Sequence, residues 1–295
     1  MRIRTSHFFL AGACVALFAL TAPASAAILR VPSEYPTIQS AINAASDRDV
    51  IIVAPGNYVE RINYNGKDVS VVSAKGPDVT TIEGPAIGQG SLVTFRNGES
   101  GAAVLDGFTL TGGSGTFLGH AAYGGAIVCI NATPTIVGNR FVDNQNDSLV
   151  MGAGIYCLDT GAAPYVESCV FEGNEARFSG GAVAARFGAS ITLVDCRFED
   201  NAPNALYTVD CSAEVIGCVF ERNSLGGAQL QVGPSAVCDI RVEGCRFSEH
   251  PLMPISSVIS SSLSTLSLVG NVIEKNDAGA LYFPKKPKKP DDHTS

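Results

Sequence analysis

The sequence predicts an all-β solenoid, in which one chain coils so that its short strands stack from turn to turn. Two interleaved repeats and the lack of helical periodicity in them carry that expectation. The first repeat is a segment of eight residues that recurs as Val137–Asn144, Glu167–Asn174, Val194–Asn201, Ile216–Asn223, Glu243–His250 and Val269–Asn276. Its third position holds Asn139, Cys169, Cys196, Cys218, Cys245 and Asn271, spaced by 30, 27, 22, 27 and 26 residues. The second repeat precedes or follows it in each period: Gly124–Ile127, Gly152–Ile155, Gly180–Val183, Asn204–Leu206, Gly226–Gln229 and Ala278–Leu281. A period of 22–30 residues holding two β-type runs between Gly, Asn and Asp turns is too short for a strand–helix–strand unit. Such a unit cannot bury its apolar side alone, and stacking its copies does.

In chain order, residues 1–26 read as an export signal. Arg2 and Arg4 precede an apolar run from Phe8 to Leu20, and Ala24-Ser25-Ala26 supplies the small residues of a cleavage site. The run is short for a bilayer span, and no later segment is apolar enough for one. The expectation is an exported protein in the periplasm, at the cell surface or outside the cell, with no membrane span once the signal is removed. Residues 27–283 form one solenoid domain, divided into a cap with the first coils (27–99) and the repeat coils (100–283). Near its start Ile38, Ala41, Ile42 and Ala45 fall at i, i+3, i+4 and i+7, which predicts a short helix with one apolar face. Laid over the end of the stack, it would cover an unpaired strand edge. The Pro- and Lys-rich residues 284–295 read as a disordered tail.

Within the repeats, strand alternation points Phe141, Phe171, Phe198, Phe220 and Phe247 inward, one per coil. Asn144, Asn174, Asn201, Asn223 and Asn276 close the same segments at a turn, where stacked amides can hydrogen-bond from coil to coil. Eight cysteines follow the signal. Equivalent positions suggest the neighbouring-coil pairs Cys129–Cys157, Cys169–Cys196, Cys211–Cys238 and Cys218–Cys245 as disulfides. The alternative is a column of buried thiols, because strands about 4.8 Å apart hold Cβ atoms farther from each other than the roughly 3.8 Å a disulfide prefers.

The paired Gly-Gly-Ala-Ile and Phe-x-x-Asn motifs resemble the repeats of polymorphic outer-membrane proteins, and the chain looks like a right-handed parallel β-helix of the pectin-lyase-like superfamily. Residues 31–84, with Pro36–Ala45, Asp49–Glu60 and Thr80–Gly84, resemble the opening of pectinesterases. That resemblance implies polysaccharides as substrates or ligands. The Gln-Asp-Thr of pectinesterases, the Asn-Thr-Asp and Gly-His-Gly of polygalacturonases, and the acidic calcium cluster of pectate lyases have no counterpart here, so no catalytic residue is assigned.

What remains is an outward stripe on the second-repeat strands. Tyr156 and Tyr207 with Arg186 are the candidate ligand contacts, and Asp159 and Asp210 close the same strands. The competing expectation is that the loop from Gly112 to Tyr123 covers this face and turns the tyrosines into packing. A second outward column, Glu172, Glu199, Glu221 and Glu274, calls for compensation by arginine or by calcium. No other cofactor is implied, and a net charge of −8 with only 16% charged residues argues against nucleic acid. The leading function is therefore a secreted or envelope-associated, non-catalytic protein that binds a polysaccharide or a surface partner. The alternatives are a polysaccharide lyase or epimerase built on Arg186 with Asp159 or Asp210, and a structural adhesin.

Overall fold

The structure, a computed structural model, describes residues 25–85, 90–145, 149–224, 228–231, 239–251, 257–262, 265–277 and 279–282. The signal segment up to residue 24, Cys14, Cys238 and the tail at 284–295 lie outside the described residues. Three parallel sheets run the length of the stack, with ten, nine and nine strands. In the coil that starts at Thr135, Thr135–Val137 belongs to the first sheet, Arg140–Val142 to the second and Ile155–Leu158 to the third. The next coil repeats this with Tyr165–Glu167, Val170–Glu172 and Val183–Arg186, each in register with the strand before it.

The N-terminal end is built as its spacing implies. A strand, Ile28–Val31, pairs with Val50–Val53, and between them lies the helix Ile38–Ala44. Thr37 caps the helix through its side chain, and Ser40 returns the bond to the Thr37 amide, a reciprocal cap that satisfies two otherwise free donors. Ile38, Ala41 and Ile42 are fully buried against the first strands. Glu60, from a neighbouring coil, accepts from the backbone amides of Ile38 and Gln39, placing a carboxylate at the helix start.

Corners between the first and second sheets use one residue in the left-handed region. Gly138, Ser168, Asp195, Gly217, Gly244 and Gly270 occupy that position, with φ of 50–64°. The residue after each corner is the Asn or Cys of the repeat. Asn139 Nδ2 donates to Leu105 O and to Val137 O, one carbonyl on the previous coil and one on its own. The thiols of Cys169, Cys196, Cys218 and Cys245 point at the same pairs of carbonyls. These cysteines thus stand in for the asparagine amide as donors, beyond their value as small apolar groups. All seven described cysteines are free and buried, and burial pushes the Cys169 thiol well above its ordinary pKa. The pairs suggested as disulfides are therefore stacked thiols wherever both partners are described.

At the other corner the asparagines form a continuous ladder. Asn144 Nδ2 donates to Asn174 Oδ1 at 2.9 Å, Asn174 to Asn201 at 3.0 Å, and Asn201 to Asn223 at 3.0 Å. Each also donates to a backbone carbonyl one coil earlier. Inside this corner the phenylalanines stack with centroids 4.4–4.8 Å apart and planes within 4–7°.

His250 interrupts the amide ladder. It fills the position between Asn223 and Asn276, is buried, and accepts the Asn223 amide N–H at Nδ1. Its Nε2 is enclosed without a partner. Burial lowers its pKa from 6.5 to about 4. Between those two values the unfolded chain binds the proton and the folded one does not, so stability falls as pH drops from about 6.5 to about 4. Replacing His250 with Asn is expected to remove that slope and to raise neutral-pH stability by about 1 kcal/mol by restoring the amide. Thermal melts of both proteins across this range check it, and parallel pH dependences would refute the assignment.

Candidate functional site

The solenoid's faces differ in what covers them. On the third sheet, Thr116–Leu118 and Ala121–Tyr123 form an antiparallel hairpin, and the latter strand pairs in parallel with Leu149–Met151. This small sheet lies over the outer side of the coils, and Leu118, Tyr123 and Met151 pack on Val128, Tyr156 and Ala184. Tyr156 is 2% exposed, and its ring sits 4.7 Å from that of Tyr123. Burial pushes its phenol pKa up. Tyr156 is therefore packing under a lid and is withdrawn as a contact residue; the expectation that the loop covers this face describes the first two coils of the stripe.

Among the described residues the lid packs on the first coils of this face. At its edge stand Arg186 and Tyr207, both half-buried, on neighbouring strands. The Arg186 guanidinium reaches the Met151 sulfur at 3.9 Å, stands beside the Tyr156 phenol and lies over the Phe187 ring, 4.5 Å from its centroid. Its Nε is buried without a partner, and no described carboxylate pairs with it. Phe187 is 54% exposed. Beyond Tyr207 the same register column continues through Gln229, Ser260 and Tyr282. The sequence thus brings Arg186, Tyr156 and Tyr207 together.

Asp159 and Asp210 have a different place. Each follows its strand in the left-handed region, with φ of 72° and 57°, where Asn131 and Phe187 stand in neighbouring coils. Short polar residues tolerate that conformation best, so the turn itself accounts for both. The motif glycines are explained as locally. Gly152 and Gly180 have φ of 65° and 63°, and a Cβ there would meet the carbonyl oxygens of Ile155 and Val183 at 2.5 and 2.6 Å.

The glutamate column on the second sheet is compensated by arginine. Arg197 pairs with Glu199 and Glu221, Arg222 with Glu199 and Asp200, Arg140 with Glu172, and Arg246 with Glu274. The hydrogen-bonded Arg197 guanidinium holds the Glu199 carboxyl down at about 2. Among the described residues no group of three or more His, Cys, Asp and Glu side chains converges as a metal site.

The first sheet carries a groove of about 510 Å³ that the repeats alone did not reveal. It spans four consecutive coils, and its lining combines the outward Ser190, Thr192, Ser212, Glu214, Asp239 and Arg241 with the inward-facing strand residues Ile191, Ala213 and Ile240 between them. Tyr165, 38% exposed, heads the column that continues through Thr192 and Glu214. What marks this stretch in the structure is strand length: three residues at Thr135–Val137 and Tyr165–Glu167, but five at Ser190–Val194, Ser212–Ile216 and Asp239–Glu243.

Comparison with known proteins agrees with this architecture. The chain is 29% identical over 178 residues to the metabotropic glutamate receptor-like protein P of Dictyostelium discoideum, spanning 55% of this chain and 12% of that protein. Among solved structures, the pectin methylesterase of Aspergillus niger superposes with a TM-score of 0.50 at 14% identity, over 92% of this chain and 93% of that one. The catalytic domain of a GH87 alpha-1,3-glucanase in complex with nigerose gives 0.31 at 13% identity, over 90% and 69%. At 14% identity the likeness to the pectin methylesterase is one of fold. The right-handed beta helix region matches residues 124–278, which hold the glycine motifs, both ladders and the edge of the lid, and the chain belongs to that family.

Proposed function

We propose that the protein is an exported, non-catalytic β-helix that holds a polysaccharide against its third sheet at the lid's edge, around Arg186, Phe187 and Tyr207. The observation that carries this reading is the state of Arg186. A half-buried guanidinium with an enclosed, unused Nε and no carboxylate partner is an incomplete arrangement in a protein. The hydroxyls or carboxylates of a sugar chain supply the missing acceptors, and the exposed face of Phe187 with the half-buried Tyr207 supplies surfaces for its rings. Export rests on the basic, apolar and small-residue pattern of residues 1–26. The non-catalytic reading rests on the turn positions of Asp159 and Asp210, which leave Arg186 without a carboxyl group to act with.

Retention of the full chain on a panel of uronic-acid and neutral polysaccharides tests this. Wild type is expected to be retained on at least one polymer, with binding about tenfold weaker in Arg186→Ala and in Tyr207→Ala, roughly the 1.4 kcal/mol of one charge-assisted or stacking contact. New reducing ends or unsaturated products would overturn the non-catalytic reading. Retention unchanged in both variants, or absent throughout, would remove this face as the site.

A further inference from the structure

The widened stretch of the first sheet has its own chemistry, separate from the Arg186 face. We propose that this groove is a second ligand site, for a glycan that carries amines, a polymer of hexosamine units. Pairing extended by two residues per strand sets an extra outward column there, Ser190, Ser212 and Asp239, beside the column Thr192, Glu214, Arg241 and Ser267. Every outward side chain named is a hydroxyl, a carboxylate or a guanidinium, set over a floor that also includes the apolar residues Ile191, Ala213 and Ile240.

The charges are not balanced within the groove. Arg241 stands directly opposite Glu214 in register, yet its guanidinium bonds Glu243 on its own strand. Glu214 and Asp239 are both exposed, and neither takes part in an ion pair among the described residues. The only described cation of the groove is therefore already committed, and two carboxylates face outward among serine and threonine hydroxyls. They sit diagonally on adjacent strands, with Cα positions about 8 Å apart from strand spacing and rise. An ammonium group brings three donors to such a carboxylate and forms the stronger, charge-assisted kind of hydrogen bond. The hydroxyls of a sugar ring match the serine and threonine side chains in between. A polyuronate would place carboxylates against Glu214 and Asp239 on a protein of net charge −8, which disfavours both encounter and docking. At one end of the groove's outward columns, Tyr165 presents an exposed ring for a sugar face.

Calorimetry of the full chain at low ionic strength tests the assignment with three oligosaccharides of equal length: glucosamine, N-acetylglucosamine and galacturonic acid. The glucosamine oligomer is expected to bind at least tenfold more tightly than its acetylated counterpart. That preference should fade at high salt, because screened surface charges weaken, and vanish in Glu214→Gln/Asp239→Asn. Both substitutions are exposed and near-isosteric, and matching thermal melts show that they leave the fold intact. Arg186→Ala is expected to leave the preference unchanged, which separates this site from the face on the third sheet. Equal binding of the acetylated oligomer, preference for galacturonate, no binding of any oligomer, or a preference that survives the double substitution would each overturn the proposal.

Discussion

Replacing Phe198 with Ala is expected to destabilise the protein by about 3–5 kcal/mol, the range for removing a fully buried aromatic side chain and leaving a cavity. Phe198 is the middle ring of the column, 4.8 Å from Phe171 and 4.6 Å from Phe220, and it is 0% exposed. Isolated aromatic pairs prefer offset or edge-on contacts. Here the strand spacing of about 4.8 Å sets the distance, and the shared register sets the near-parallel planes. The backbone thus imposes the stack, and its energy is largely apolar burial and dispersion. Because each coil touches only its neighbours, the loss is concentrated where the column is cut. Thermal melts should shift by roughly 6–20 °C, at about 2–4 °C per kcal/mol for a domain of this size. Phe198→Leu, which refills part of the volume, is expected to cost less than half as much. A melt of Phe198→Ala within two degrees of wild type would show that the column is not what holds the coils.

The repeated parts of the molecule were legible in the sequence because a position that recurs every coil becomes a column in space. Phe141 through Phe247, Asn144 through Asn223 and the helix face of Ile38, Ala41 and Ile42 all follow from spacing alone. What escaped was everything that happens once. The hairpin of Thr116–Leu118 and Ala121–Tyr123 is a single insertion, and whether it folds back over Tyr156 or projects away depends on tertiary packing that no period encodes. The sequence reading puts Arg186, Tyr156 and Tyr207 on one face, and the structure divides them into a buried residue and two at the lid's edge. Strand lengthening at Ser190–Val194 was equally hidden, since two extra residues in a variable loop look like loop. His250 aligns with the asparagines in the repeat, but its imidazole breaks the residue type, so its place in the ladder shows only in the structure. The cysteine column was legible in position and misread in part of its role: spacing shows that the thiols stack, but only geometry shows them aimed at the carbonyls that Asn139 also serves.

Replacing Asn201 with Ala is expected to cost about 3–4 kcal/mol, and the reason is what it strands more than what it removes. Asn201 Oδ1 accepts from both the amide N–H and the side-chain Nδ2 of Asn174, each at 3.0 Å. Its own Nδ2 donates to Phe171 O at 2.9 Å and to Asn223 Oδ1 at 3.0 Å. Truncation strands the buried Asn174 amide N–H and takes one bond each from Asn174 Nδ2, Phe171 O and Asn223 Oδ1. Asn223 Oδ1 keeps the Asn201 backbone N–H, and Asn174 Nδ2 keeps Phe141 O. Each buried group left unsatisfied costs about 1–3 kcal/mol. The losses fall short of their sum because the coils can relax locally. Asn201→Asp separates the ladder's hydrogen bonding from its packing, since the two side chains have nearly the same shape. Its Oδ1 would still serve Asn174, but its second oxygen would face two acceptors and would need a proton to hold them. The folded-state pKa of that aspartate is therefore raised above its unfolded value of about 3.9. The penalty then grows as pH rises through 3.9, so the variant gains stability relative to wild type on acidification. Urea midpoints for wild type and both variants between neutral and acid pH test this. A cost of under 1 kcal/mol for Asn201→Ala, or an Asn201→Asp penalty that does not change with pH, would mean that water or backbone shifts replace the ladder and that the phenylalanine column alone specifies the register of the coils.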